Sequence, residues 1–486
     1  MDSRVIFLKP QTGPAGKNIV RDLVYGCWCN GRRIGGMQMP PLNDLYAATH
    51  CRQPGVEVVF LDAQMEPERY QALARDGFRG VAAVVMLSST QSFREDVGTI
   101  KRIKSLNPKV RAVLFGSHPT FMPAYCLAEE CVDFLVQGEP EATLKELIRT
   151  IINRGDPGEV RGAGYRDGNG KIRVNPKRPF MKMDDLPIPD RSLLPARADY
   201  FNPVVKRLPY TTMQTSRGCP GRCIFCTAPT FYGNRYRFRS PENVLAELKE
   251  VKRLGFREVF FRDETFTANR ERNLVICEAM IRENLDLSWI ANGRVDLVDK
   301  ESLELMKRAG CHMLKFGVES GSDAILKAYR KGTSTDQARA AFRRARDAGL
   351  ETHAHFVMGG PGESRDSLER TVDFAKELKP TTVSFGILTP YPGTELFARV
   401  AQKHPEIRDG SDSNMDNLHV QGFYSESICG LKGEDLSRAV VRAYRRFYFR
   451  PAYLLERLRK IRTLEELVIL GVAGLNVLQF SLTGEK

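Results

Sequence analysis

The chain has 486 residues, 42% hydrophobic and 27% charged, with a formal net charge of +14 and eleven cysteines. That length calls for two or three domains, since a single core rarely grows beyond about 250–300 residues, and the composition is that of an ordinary globular protein. The opening Met1-Asp-Ser-Arg-Val-Ile-Phe-Leu8 lacks the basic stretch of a secretory signal and starts as a strand, so a disulfide scaffold is excluded and a reducing cytoplasm is expected.

Residues 1–153 alternate short apolar runs with helical stretches. The candidate strands are Val5–Leu8, Val56–Leu61, Ala82–Leu87, Ala112–Phe115 and Phe134–Val136, and helices are expected over Leu42–Cys51, Pro67–Arg75, Ser92–Ser105, Ala124–Glu130 and Glu141–Asn153. Such repetition predicts an α/β domain with a doubly wound, flavodoxin-like parallel sheet that binds ligands at the carboxyl ends of its strands. The loops there, Ser88-Ser89-Thr90-Gln91, Gly116-Ser117-His118-Pro119 and Gln137-Gly138-Glu139-Pro140, offer hydroxyls and bare backbone to a large polar cofactor. A connector is expected over 154–204, with a hairpin at Gly164–Val174 turning on Asp167-Gly-Asn-Gly170, then the extended Asp185-Leu-Pro-Ile-Pro-Asp190.

From 205 to 400 the chain repeats strand, loop and helix six times, with strands at Thr211–Thr215, Glu258–Arg262, Trp289–Asn292, Met313–Gly317, Glu351–Val357 and Thr382–Leu388. Six such units make a partial (β/α)6 barrel with ligands at the carboxyl edge. The first strand runs into Thr215-Ser-Arg-Gly-Cys219-Pro-Gly-Arg-Cys223-Ile-Phe-Cys226. No histidine lies between His118 and His312 and no second cysteine pair follows, so the set falls short of the four ligands that structural zinc prefers. Three thiolates on a four-iron cube leave one iron open to a small molecule. His353 and His355 alternate on the fifth strand, so both face one side, either the barrel interior or the helices.

The cysteine loop resembles the cluster loop of the radical S-adenosylmethionine enzymes. An α/β domain ahead of such a core resembles the cobalamin-binding domain of that family's cobalamin-dependent branch, with Gly116–Thr120 and Gln137–Glu139 matching loops that edge the corrin there. The resemblance implies a 4Fe-4S cluster on Cys219, Cys223 and Cys226, with S-adenosylmethionine on the open iron. It places Phe225 beside adenine, Asp263 and Glu264 at the ammonium group, and Arg294 at the methionine carboxylate or the substrate. Glu319 and Ser320 would meet the ribose and carboxylate, and Gly359 and Gly360 would let backbone approach adenine. Cobalamin is implied on Ser88, Ser89, Thr90, Gly116, Ser117, His118, Gln137, Gly138 and Glu139. The Asp-x-His-x-x-Gly motif that supplies an axial histidine is absent, the loop after the first strand reading Lys9-Pro-Gln-Thr-Gly-Pro14, so no histidine is expected on the lower face of the corrin. A cofactor-free flavodoxin-like domain is the alternative. The tRNA methylthiotransferases share the cysteine region, but Cys27, Cys29 and Cys51 match their second cluster poorly.

The same resemblance implies the activity. A reduced cluster cleaves S-adenosylmethionine, hydrogen is abstracted from an unactivated carbon, and methylcobalamin delivers a methyl group. The chain is therefore expected to be a C-methyltransferase for a small molecule, fed by a flavodoxin- or ferredoxin-type one-electron reductant. A non-methylating ring- or bond-forming enzyme, like the anaerobic magnesium-protoporphyrin monomethyl ester cyclase, shares all these cofactors; a catalytically silent cobalamin sensor is a third class, against which the intact cysteine triad argues. Lysines and arginines are spread along the chain without an RNA-binding signature, so nucleic acid is not an expected partner. In the helical region 401–486, Leu436–Tyr448 carries Arg438, Arg442, Arg445 and Arg446; Arg457, Arg459, Lys460 and Arg462 follow, and Leu467–Phe480 is largely apolar for 14 residues. That run is shorter than the ~20 residues a bilayer requires. Either the tail packs on the barrel and caps the substrate cavity, or it docks peripherally on an anionic membrane to meet a lipid or tetrapyrrole substrate.

Overall fold

The computed structural model describes residues 3–11, 21, 23–24, 38–195, 200–407, 424–461 and 464–483. Strands β1 (Arg4–Lys9), β2 (Glu57–Asp62), β3 (Val81–Leu87), β4 (Arg111–Phe115), β5 (Phe134–Val136), β6 (Ala163–Arg166) and β7 (Ile172–Val174) form one sheet in the order β2-β1-β3-β4-β5-β6-β7. The first five are parallel, and β6 and β7 are antiparallel. A parallel sheet must be covered on both faces, and β1 supplies both. Val5 and Phe7 pack beneath helices Leu42–Cys51 and Glu141–Asn153, while Ile6 and Leu8 pack beneath helix Phe93–Leu106. The expected hairpin is present, but it extends this sheet instead of standing free in a connector, because β6 pairs with the edge of β5.

The second sheet begins with β8 (Tyr210–Met213). Two-residue strands β9 (Ser216–Arg217) and β10 (Arg237–Phe238) pair with each other, and β11 (Glu258–Phe261), β12 (Ser288–Gly293), β13 (Cys311–Glu319), β14 (Glu351–Met358) and β15 (Thr382–Ile387) complete the set. The order β8-β11-β12-β13-β14-β15 is parallel throughout, with β8 and β15 at its two ends: an open six-stranded barrel. Six of the helices between and after these strands start at a side-chain cap. Ser240, Asn269, Asp299, Ser334, Ser364 and Thr394 each accept from a backbone N–H one turn on, a device that contributes about 1 kcal/mol apiece. Outward residues such as Phe261, Trp289, Leu314, Phe356 and Phe385 pack under the helices. Inward Tyr210, Phe260, Ile290 and Met313 meet Met39, Tyr200 and Val205, which plug one end of the barrel.

Edge strand β15 presents unpaired backbone groups, which a sheet must satisfy or shield. Helix Gly433–Tyr448 lies along it with Leu436, Val440, Ala443, Tyr444 and Phe447 buried. The Tyr448 hydroxyl accepts from Val383 N at 2.9 Å and donates to Val383 O at 2.6 Å; Tyr444 accepts from Phe385 N at 3.3 Å, and Tyr453 donates to Thr381 O at 3.0 Å. The tail therefore packs on the barrel edge. Helix Leu464–Thr483 nevertheless keeps Leu467, Val468, Leu475 and Leu482 exposed. No helix among the described residues is long and apolar enough to cross a membrane.

The carboxyl edges of the two sheets face each other. Gln91, after β3, donates to the Tyr391 hydroxyl after β15 at 2.8 Å, and Ala228, Phe231 and Tyr232, just past the cysteines, pack into the core of the first sheet. Beside this junction, Glu247 accepts from Arg191 at 2.6 Å and from Arg239, all three buried; Arg239 also reaches the Tyr46 hydroxyl at 3.2 Å. Removing one member leaves charge buried without its partner. Glu247→Gln is therefore expected to cost ~3–5 kcal/mol of stability, read as a lowered urea midpoint with unchanged slope.

Candidate functional site

Strand β8 ends at Met213, and a short turn brings Arg217, Gly218 and Cys219 to the barrel mouth. Gly218 has φ +92°, and a Cβ there would stand 1.9 Å from Arg235 O, so only glycine fits. Glu264 accepts from Gly218 N at 2.8 Å, and Thr265 Oγ1 lies 3.1 Å from Cys219 Sγ. Cys219, Cys223 and Cys226 are all half-buried free thiols. Burial pushes the Cys223 thiol up, with the charges of Lys331 and Arg294 opposing. The donor set, three thiols with two cations beside them and neither imidazole nor carboxylate in the loop, fits a thiolate-held cluster of net negative charge.

Arg294 is fixed by Asp296 at 3.0 Å and by Lys331 O at 3.1 Å, and a Cβ at Gly221 would meet its Nη1 at 2.8 Å, so the guanidinium lies against the cysteine loop. At the end of β13, Glu319 sits at φ +72°, a conformation that a non-glycine residue holds only when its surroundings enforce it. One of its oxygens accepts from Lys331 Nζ at 2.7 Å; the other, Oε2, is buried without a partner and fits a hydroxyl-bearing ligand. Phe225 is buried with its ring 5.4 Å from that of Tyr329, edge-on. Gly360 makes room for that tyrosine, since a Cβ would stand 2.0 Å from its ring, and Gly359 (φ +92°) makes room for Leu436.

Three expected contacts turn elsewhere. Asp263 is fully buried and accepts from Thr215 N at 2.6 Å, Thr215 Oγ1 at 2.5 Å and Ser216 Oγ at 2.6 Å, so both oxygens brace the chain leading to the cysteines. Ser320 points toward helix Arg365–Leu378, its Oγ 3.3 Å from Thr371 Oγ1. Glu139 pairs with Arg217 at 3.2 Å and with Arg237, joining the two sheets. Lys331, Thr265 and Tyr329 belong to the site without having been expected there. Lys331 follows a short helix, with no strand end or glycine run to mark it, whereas Thr265 adjoins the expected Asp263-Glu264 pair.

At the first sheet, Ser88, Ser89, Thr90, Ser117 and Gln137 are buried along the carboxyl edge. Gly116 (φ +121°) is required because a Cβ would stand 2.4 Å from Ser88 O, which brings the β3 and β4 ends into backbone contact. Thr120 Oγ1 accepts from Gly138 N at 2.9 Å and ties the β5 loop to them. His118 heads a short helix, Ser117–Phe121, where a loop is expected. Its Nδ1 lies 3.2 Å from Thr90 Oγ1, its Nε2 is buried without a partner, and burial holds its pKa down to about 3. Close-packed backbone, hydroxyls and an unpartnered neutral ring nitrogen fit a bulky ligand rich in amides. The loop after β1, from residue 12, and Cys27 and Cys29 lie outside the described residues. Between the two sheets is a cavity lined by Lys9, Asp44, Gln214, Tyr232, Arg262 and Glu264, among others. Asp44 is buried there with Oδ1 unpartnered, and burial foremost raises its pKa to about 7.

Comparison with known proteins agrees with this division. Residues 213–375 match the radical SAM superfamily and residues 35–148 the B12 binding domain. The chain is 33% identical over 432 residues to an uncharacterised methyltransferase of Pyrococcus horikoshii, covering 87% of this chain and 91% of that one. It is 28% identical over 469 residues to the anaerobic magnesium-protoporphyrin IX monomethyl ester cyclase of Rubrivivax gelatinosus, covering 93% and 78%. The fold matches the cobalamin-dependent S-adenosylmethionine radical enzyme OxsB, solved with aqua-cobalamin and S-adenosylmethionine bound, with a TM-score of 0.69 at 18% identity over 100% of this chain and 73% of that one. The chain thus belongs to the cobalamin-dependent radical S-adenosylmethionine enzymes, whose cofactors are a four-iron cluster, S-adenosylmethionine and cobalamin.

Proposed function

We propose that this enzyme transfers a methyl group to an unactivated carbon of a small molecule. The observation that carries this reading is the join at Arg217, two residues before Cys219, whose buried guanidinium binds Glu139 of the β5 loop and Glu141 at the head of the helix that follows. One ion-pair cluster thereby holds the cysteine loop against the loop expected to edge the corrin. The methyltransferase of Pyrococcus horikoshii, alike over most of both chains, supports methyl transfer over the cyclase reading. Residues 1–153 would hold cobalamin and 205–400 the cluster and S-adenosylmethionine, with 154–204 joining them and 401–486 covering the barrel edge.

When bound, the cofactors supply one-electron cleavage of S-adenosylmethionine, hydrogen abstraction and methyl transfer. The protein's part is placement. Cys219, Cys223 and Cys226 would hold the cluster, and Arg294 and Lys331 would offset its negative charge. Glu319 Oε2 would accept from a ribose hydroxyl, Glu264 would border the ammonium group, and Phe225 with Tyr329 would give adenine an apolar edge. Ser88, Ser89, Thr90, Gly116, Ser117, Gln137 and Gly138 would border the corrin, while Asp263, Ser320 and Glu139 position the loops. The interdomain cavity admits the substrate, shielded from water as radical chemistry requires. A flavodoxin- or ferredoxin-type protein would supply electrons in a reducing cytoplasm. The exposed leucines and valines of helix Leu464–Thr483, next to basic Arg457 and Arg459, suit peripheral contact with an anionic membrane.

Cys223→Ala should abolish both the brown cluster absorbance and formation of 5′-deoxyadenosine after anaerobic reconstitution; retention of both would remove the cluster assignment. With methyl-labelled S-adenosylmethionine and candidate substrates, label should appear in product, whereas deoxyadenosine without labelled product would favour the cyclase-like reading. The reconstituted enzyme should carry one corrinoid, base-off, and an electron resonance spectrum showing axial nitrogen from the protein would contradict this. Full-length protein should co-sediment with anionic liposomes better than a chain ending at Tyr453. Equal recovery of the two would end the membrane reading.

A further inference from the structure

Inside the barrel the polar side chains answer one another. Ala354 and Phe356 pack outward under the helices, so His353 and His355, which alternate with them along β14, face the interior. There His353 Nδ1 lies 2.7 Å from Thr382 Oγ1 and His355 Nδ1 lies 2.7 Å from Ser384 Oγ. Unmet groups gather instead in the cavity between the two sheets, lined by Lys9, Arg21 and Asp44 on one side and by Gln214, Arg262 and Glu264 on the other.

On the first side, two of the three charges are paired. Lys9 Nζ bonds Asp62 at 2.8 Å, and Asp62 also accepts from the Tyr200 hydroxyl at 3.2 Å. Arg21 donates to Asp96 through Nε at 2.9 Å and through Nη2 at 2.5 Å, with both side chains buried. Asp44, 3% exposed, is the odd carboxyl of this group, and on the far wall Arg262 and Glu264 are of opposite sign. Among the described residues, Asp44 Oδ1 has no hydrogen-bond partner, and neither has Arg21 Nη1. One of these orphans accepts and the other donates. A buried donor or acceptor left unmet has lost its water and gained nothing in return, and a ligand that meets both recovers that loss.

The charges around the two orphans select the ligand group. A carboxylate or phosphate would set its charge against ionised Asp44, and an ammonium would set its own against Arg21 and Lys9. A neutral group that donates one hydrogen bond and accepts another suits both. The far wall fixes where such a group stands. Gln214 accepts from Arg217 at 3.0 Å and Glu264 accepts from Gly218 N at 2.8 Å, so this wall adjoins the cysteine loop. An occupant held by Asp44 lies between the domain read as binding cobalamin and the loop read as binding the cluster, where a substrate meets both.

We propose that Asp44 and Arg21 bind the substrate through a neutral donor–acceptor group, an amide, a hydroxyl or a ring equivalent. This rests on the reading of the chain as a small-molecule methyltransferase and names the functional group by which its substrate is recognised. Asp44 accepts from the donor of that group, and Arg21 Nη1 donates to its acceptor.

The probe is 4-bromopyrazole, a neutral ring whose adjacent nitrogens donate and accept. Crystals of the reconstituted holoenzyme soaked in it at pH 8, above the Asp44 pKa of about 7, should show a bromine anomalous peak in the interdomain cavity, with the ring nitrogens at hydrogen-bond distance from Asp44 and Arg21. Soaking with 3-bromothiophene, of like shape but without the donor, should leave the cavity without bromine. Asp44→Leu, which removes an unpaired buried carboxyl, should keep the cluster absorbance and the corrinoid and lose the peak. No peak in the wild-type holoenzyme, an equal peak from 3-bromothiophene, or a peak that survives Asp44→Leu would overturn the proposal. So would a peak present in cobalamin-free crystals and absent from the holoenzyme, which would give the two side chains to an amide of the corrin. The wild-type soaks alone are enough to fail it, whatever the variant does. Formation of 5′-deoxyadenosine by the same preparation reports separately on the proposed function.

Discussion

A single buried guanidinium, that of Arg217, ties the two halves of this enzyme together. It bonds Gln214 at 3.0 Å and the carboxylates of Glu139 and Glu141, and it lies over the Tyr46 ring. Taking a charge out of water costs several kcal/mol unless partners match it, so the strand end before Cys219 and the loop after β5 keep one relative position. Burial alone would raise the Glu141 carboxyl, but Arg217 overcomes it and holds the pKa below its ordinary value, which keeps the pair charged.

Much of the architecture is legible in the residues. Strands with both faces apolar, such as Val5–Leu8, announce a covered parallel sheet, and the C-x3-C-x2-C spacing needs no partner from elsewhere to be recognised. What cannot be read is direction. Asp263, Ser320 and Glu139 stand at strand ends, the address of ligand contacts, but whether a side chain turns to a ligand or to its own protein depends on residues some 50 to 100 positions away, such as Thr371 and Arg237. Lys331 has the opposite character: nothing local marks it, and only the fold carries it to Glu319. The histidines lie between these cases. Their shared side follows from alternation alone, but the choice of side required the outward packing of Ala354 and Phe356.

An eight-stranded closed barrel fills its interior with side chains. In this six-stranded one, Phe260, Ile290 and Met313 fill one end against Met39 and Tyr200. Elsewhere the interior is walled by hydroxyls, imidazoles and a lysine. Openness between β8 and β15 leaves two sheet ends, of which that of β15 is covered by the C-terminal helices.

The treatment of one edge bears on the life of the chain outside the active site. An uncovered β15 would expose Val383 and Phe385 backbone groups on a strand whose buried face is wholly apolar, which is the template on which another unfolded chain can nucleate an intermolecular sheet. Tyr444, Tyr448 and Tyr453 arrive last in the sequence, more than 50 residues after the strand they shield. During synthesis the barrel strands are complete before their guard is made, so the nascent enzyme passes through an interval of adhesiveness that its finished form does not share.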